Sequence, residues 1–148
     1  MSADQYIESA KQGLINASDY LKTSNWRAGI SAVRTCIGYV DTSGIMHDNN
    51  RLEERLWILK MVQQFAYHDQ DAGGIREFSN WCELQYNNIL CYYPGHVQAL
   101  QGRAHVYLLI QNIHTNQVNH NRAGTSLAVK GTVLAITGLQ RGSQRRRR

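Results

Sequence analysis

Between Ile7 and Val40 the chain states one spacing twice. Ile7, Ala10, Leu14, Ala17 and Leu21 fall at intervals of 3-4-3-4, and Trp26, Ile30, Val33, Ile37 and Val40 at 4-3-4-3. Apolar residues three and four apart share one face of a helix, so each run predicts an amphipathic helix. Only Thr23-Ser24-Asn25 separates the runs, and Ser24 or Asn25 can cap the second. Two helices joined by three residues must fold back as an antiparallel hairpin.

The pattern continues downstream. After a polar loop containing Gly44, Asn50 followed by Glu53 has capping-box spacing. Residues 51–68 carry Leu52, Leu56, Leu59, Val62 and Ala66, and Trp57, Ile58, Met61 and Phe65 widen that face. Residues 75–92 carry Ile75, Phe78, Cys82, Tyr86 and Ile89, and Pro94-Gly95 stops the helix. Residues 96–111 carry Val97, Leu100, Ala104, Tyr107 and Leu108 as the expected buried stripe. Beyond them, "QNIHTNQVNHNRAG" reads as a polar loop. "TSLAVKGTVLAITGL" reads as a last, capping helix or as a strand. The expectation is an all-α fold of five helices or six.

Within the first hairpin, Ala17, Tyr20-Leu21, Trp26 and Gly29 stand at helix-crossing intervals, followed by Val33 and Cys36. Around the proline, Cys82, Tyr86, Ile89 and Pro94 precede Leu100, Ala104 and Tyr107-Leu108. Together these two stretches resemble the tetratricopeptide repeat (TPR), a 34-residue helix-turn-helix unit. The likeness covers about 70 residues and lapses over residues 42–75, which do not keep the register. It implies antiparallel hairpins stacked as a short TPR-like array. It also makes Ala17 and Gly29 the close-contact positions, with Tyr20 and Trp26 as wedges.

In such an array the first helix of each hairpin lines a concave groove that takes a peptide or a partner's helix. The resemblance places Lys11, Leu14, Ser18, Leu21 and Lys22 there from the first helix. From the fifth it places Gln98, Gln101, His105, Leu108 and Leu109. Leu14, Ser18, Gln101 and His105 fill slots where some family members hold carboxylates with Lys and Asn, so no carboxylate clamp is expected. The expected function is a non-catalytic scaffold or adaptor that binds another protein. Repeat arrays need about three units for stability, so completion by a partner subunit or by a longer chain is expected.

Chemistry-bearing patterns are missing. "GTSLAVKGT" has Val129 where a phosphate loop needs Gly before Lys. His114 and His120 have no carboxylate after Glu83 to orient them. Glu53-Glu54 and Asp69/Asp71 sit at helix ends, where helix charge accounts for them. Cys82, Cys91 and His96 match no zinc-ligand spacing. All three cysteines fall within helical patterns and are expected to be buried. An enzyme, a metal and a cofactor are therefore not expected.

Charge is divided along the chain. Residues 1–83 hold eight Lys or Arg against eleven Asp or Glu, and residues 84–148 hold eight and none. Five of the sixteen Lys and Arg are Arg141, Arg145, Arg146, Arg147 and Arg148. Without them eleven remain against eleven acids, so "RGSQRRRR" carries the whole formal excess of +5. Such a tail predicts disorder, and it is a candidate import signal or phosphate-binding arm on nucleic acid. The alternative function is thus a nucleic-acid-associated protein using its basic half. An acidic start, no apolar run of about 20 residues and an odd cysteine count predict an intracellular protein of nucleus or cytoplasm, away from membranes. The expected domains are 1–112 helical, 113–140 loop and last helix, and 141–148 tail.

Overall fold

The computed structural model describes the backbone of residues 1–71 and 76–126, with side chains as far as Thr115 apart from Gln70, Asp71 and Ile113. Within these residues the chain is helical and has no strand. The helices are α1 (Ala3–Lys22), α2 (Trp26–Ser43), α3 (Leu52–Ala66), α4 (Glu77–Tyr92) and α5 (Val97–Ser126). Two units divide the chain, Met1–Tyr107 and Leu108–Arg148, and the packed core lies in the first. Residues 127–140 and the arginine tail lie outside the described residues, as do Gly73, Gly74 and Ile75.

Local chemistry sets the helix ends. Ser2 and Gln5 form a capping box at α1, with Ser2 N–H donating to Gln5 Oε1 at 2.7 Å. Asn25 Oδ1 accepts from Ala28 N–H at 3.4 Å and starts α2. Gly44, at φ 74°, ends α2 in the left-handed conformation that glycine adopts without strain. The expected cap at Asn50 is not formed. Two short 3-10 turns, Ile45–His47 and Asn49–Arg51, lead into α3, and Asp48 accepts from Asn50 N–H at 2.9 Å instead. Asp48 wins because the tight 3-10 geometry brings its carboxylate within reach two residues on.

The core follows the 3-4 spacing in α1 to α4. Ile7, Ala10, Leu14 and Ala17 meet Ile30, Val33, Cys36 and Val40 along the first hairpin, all buried. Helix α3 lies against both α1 and α2 and pairs with α4. Gly29 makes this possible. A Cβ there would stand 2.5 Å from Phe65 Cε1 and 3.4 Å from the Ala17 carbonyl oxygen. Ala17 and Gly29 do mark the crossing. The wedge, however, is Phe65 of α3, fully buried, rather than Tyr20 or Trp26. Tyr20 is 41% exposed, and Trp26 stacks on His68, ring centroids 5.7 Å apart.

Four polar side chains, Arg55, Asp69, Ser79 and Gln85, are buried with the apolar ones. Arg55 Nη1 donates to the Asp48 carbonyl at 3.3 Å and to Asn49 Oδ1 at 3.0 Å, which ties α3 to the turn before it. Burial draws its guanidinium below the ordinary arginine range. Asp69 Oδ2 accepts from Phe78 N–H at 2.7 Å and so caps the first turn of α4. Among the described residues its other oxygen, the Ser79 hydroxyl and Arg55 Nε have no partner. Burial is the main cause that raises the Asp69 carboxyl above its usual range, and the Phe78 bond opposes it. Cys36 and Cys82 are buried, and burial pushes the Cys36 thiol up to about 11. Cys91 is exposed, contrary to expectation, because it lies on the solvent side of α4, one residue past the buried Ile89 and Leu90.

Helix α5 departs most from the sequence expectation. It runs to Ser126, so residues 113–126 are helix rather than loop. Asn, Gln, Thr and His are polar but do not break a helix, and no Pro interrupts the stretch. The buried face is also another one. Ala99 and Val106 are fully buried, whereas Val97 is 63% and Tyr107 44% exposed. Gly102 decides this. A side chain there would strike the Tyr86 ring, so the small-residue face alone can approach α4. Tyr86 Oη donates to Gln63 Oε1 at 2.6 Å, and Gln63 Nε2 donates to the Gly102 carbonyl at 3.3 Å. Arg103 Nη1 reaches Asn87 Oδ1 at 3.0 Å.

Candidate functional site

Helix α3 is the middle member of the row α1–α3–α5 in the first unit. Lys11 Nζ of α1 donates to Glu54 Oε2 of α3 at 3.3 Å, and also to Glu8 at 3.4 Å. About two helical turns along α1, Ser18 Oγ donates to Gln64 Oε1 at 3.5 Å. The Gln63–Gly102 bond then joins α3 to α5.

The groove residues expected from sequence divide accordingly. Lys11, Ser18 and Leu21 are half-buried on the α1 side, and Lys22 is exposed beside Asp19, 3.5 Å away. Gln98, Gln101 and His105 are exposed on α5, three and four residues apart, flanking Gly102. Leu14 is corrected. It is fully buried and belongs to the hairpin core, because it continues the Ile7–Ala10–Ala17 stripe. Leu108, 56% exposed, and Leu109, half-buried, belong to the second unit.

Sequence reasoning missed the middle of the row. Lys60 and Gln64 are exposed and Trp57 is half-buried on α3. They fall at intervals of three and four on the side away from Ile58, Leu59, Val62 and Phe65. By composition alone Trp57 only widens an apolar face. The available signal was Lys60 and Gln64, which share its helical face and are polar.

Glu54 is the charged centre of the α1 edge. Arg51 Nε donates to Glu54 Oε1 at 2.7 Å while Lys11 takes the other oxygen. The Arg51 hydrogen bond is the largest cause holding the Glu54 carboxyl below its ordinary range, with Lys11 adding to it against partial burial. Glu54 in turn raises Lys11 and Arg51.

The row therefore offers ammonium, hydroxyl and amide groups around one indole. Such a set can hydrogen-bond an extended backbone and seat one apolar side chain. Among the described residues no group of three His, Cys, Asp or Glu side chains could hold a metal ion, and no helix is long and apolar enough to cross a membrane. No protein-family model, curated protein or solved structure matches the chain.

Proposed function

We propose that this protein is a non-catalytic scaffold or adaptor whose TPR-like hairpins bind a peptide or a partner's helix along the α1–α3–α5 row. The supporting observation is that α3 packs on both helices of the first hairpin while Lys60, Gln64 and half of Trp57 stay open. That is how the first helix of a stacked hairpin behaves when it lines a concave face. The binding residues in this reading are Lys11, Ser18, Lys22, Trp57, Lys60 and Gln64, with Gln98, Gln101 and His105 from α5.

The test is selection of peptides from a displayed random library on the full chain. Lys60→Glu and Trp57→Ala should each weaken selected peptides by about tenfold, since contacts of this kind are worth roughly 1–2 kcal/mol. Thr35→Glu, on the exposed side of α2, should change nothing. Peptides that lose affinity only with Thr35→Glu would move the site off the row.

A second reading is association with nucleic acid through the basic half. It is supported by the sixty-five residues from Leu84 onward, which contain eight Lys or Arg and no acid. Arginines that neutralise phosphates carry no sequence information, so this binding would show no sequence preference.

A further inference from the structure

On another part of the first unit, α2, the turn after it and α4 enclose a cleft of about 270 Å³. It shares no residue with the α1–α3–α5 row. Its construction begins at Gly44. The left-handed turn there folds residues 45–47 back under α2, so that Met46 is buried beneath the cleft beside Val40. Trp81 of α4 forms one wall, and Leu84, 56% exposed, stands at the mouth.

The polar equipment is one-sided. Among the described residues Asp41, in the last turn of α2, is the only carboxylate in the lining, and no Lys or Arg lines the cleft. Trp81 Nε1–H donates to Asp41 Oδ1 at 3.1 Å and so fixes the carboxylate, whose second oxygen has no hydrogen bond among the described residues. Among the described residues no cation pairs with Asp41. The last turn of a helix also carries partial negative charge, and α2 has no basic residue there to offset it. His47 borders the cleft and is its one other titratable group among the described residues.

An apolar floor, an indole wall and an unpaired carboxylate at a helix C-terminus define the ligand's chemistry. The stem must be aliphatic, and the head must be a planar cation that donates to carboxylate. A guanidinium does both, stacking on the indole while it hydrogen-bonds the acid. We propose that the Asp41–Trp81 cleft is a binding site for an arginine side chain of a partner protein, separate from the groove.

The probe is a short blocked peptide, acetyl-Gly-Arg-Gly-amide, titrated into the full chain. Its control has citrulline, which keeps the shape and loses the charge. The chain has three tryptophans, so the indole N–H resonances are countable, and Trp81→Phe assigns the relevant one. The Trp81 resonance should move saturably with the arginine peptide and stay still with citrulline. Asp41→Asn should weaken binding about tenfold, the worth of a hydrogen bond to a charged group. Unchanged Trp26 and Trp57 resonances in that variant show that it folds. A Trp81 resonance that ignores the arginine peptide, or moves equally with citrulline or in Asp41→Asn, overturns the proposal.

Discussion

Gly29 and Gly38 lie in the same helix, and helix propensity alone gives Ala the same advantage at both, about 0.5–1 kcal/mol. The structure separates them. At Gly38 a Cβ meets nothing within 4 Å, so Gly38→Ala should stabilise by that full amount. At Gly29 the Cβ would stand 2.5 Å from Phe65 Cε1, well inside contact. Phe65 is a fully buried ring between α2 and α3 and has nowhere to swing. Overpacking of this kind costs about 1–3 kcal/mol, which exceeds the propensity gain over most of its range. Gly29→Ala should therefore destabilise by about 1–2 kcal/mol net, a fall of roughly 4–8 °C in Tm. Thermal unfolding followed by circular dichroism measures both variants. Adding Phe65→Leu to Gly29→Ala should recover part of the loss, because the shorter side chain vacates the contested space. If Gly29→Ala raises Tm as Gly38→Ala does, α3 does not insert at the hairpin crossing, and the row built on that insertion is lost with it.

Other outcomes depend on the same geometry. Gly13→Ala would put a Cβ 2.5 Å from Cys36 Sγ and should destabilise, with Cys36→Ala relieving it in the double variant by the same thermal assay. Asp69→Ala should cost about 1–2 kcal/mol in urea unfolding by removing the cap on α4, whereas Asp69→Asn keeps an acceptor for Phe78. Because the folded-state carboxyl lies above its unfolded value, ionisation penalises the fold. Wild type should thus lose stability relative to Asp69→Asn as pH rises from the ordinary aspartate range through the raised value. Glu54 has the opposite sign. Its lowered carboxyl contributes above the unfolded value, so the difference between wild type and Glu54→Gln should vanish as pH falls through the acid range. Removing residues 141–148 should abolish a duplex-DNA binding whose log–log salt slope is about −4 to −5; equal, weak binding by both chains would leave the tail no role there.

Much of the helix plan was legible in the residues. Most of the 3-4 stripe positions in α1 to α4 are buried, with Leu21, Trp26, Ile37, Leu52 and Leu56 half-buried, and Ala17 and Gly29 marked a real crossing. What escaped was decided by shape rather than by hydrophobicity. Val97, Leu100 and Tyr107 are more apolar than Gly102, yet only the Gly102 side of α5 can come against Tyr86. Phe65 is one more apolar residue in the sequence, and only the missing Cβ at Gly29 gives it a slot. Asp69 read as a helix-end charge and the burial of Arg55 left no signal, because the backbone groups they bond, the Phe78 N–H and the Asp48 carbonyl, leave no trace in side-chain patterns. The candidate site was legible at its edges, in Ser18, Gln98, Gln101 and His105. Its centre on α3 was not, because residues 42–75 break the repeat register that points to the edges.

Binding on the α1–α3–α5 row is the central claim, and two indoles report on it directly. Trp57 sits in the middle of the row, and Trp81 lines the cleft between α2 and α4. An arginine-free peptide selected on the full chain would be titrated while both indole N–H resonances are followed. The Trp57 resonance should shift to saturation while Trp81 holds its position; a shift of Trp81 with Trp57 unmoved would contradict the account.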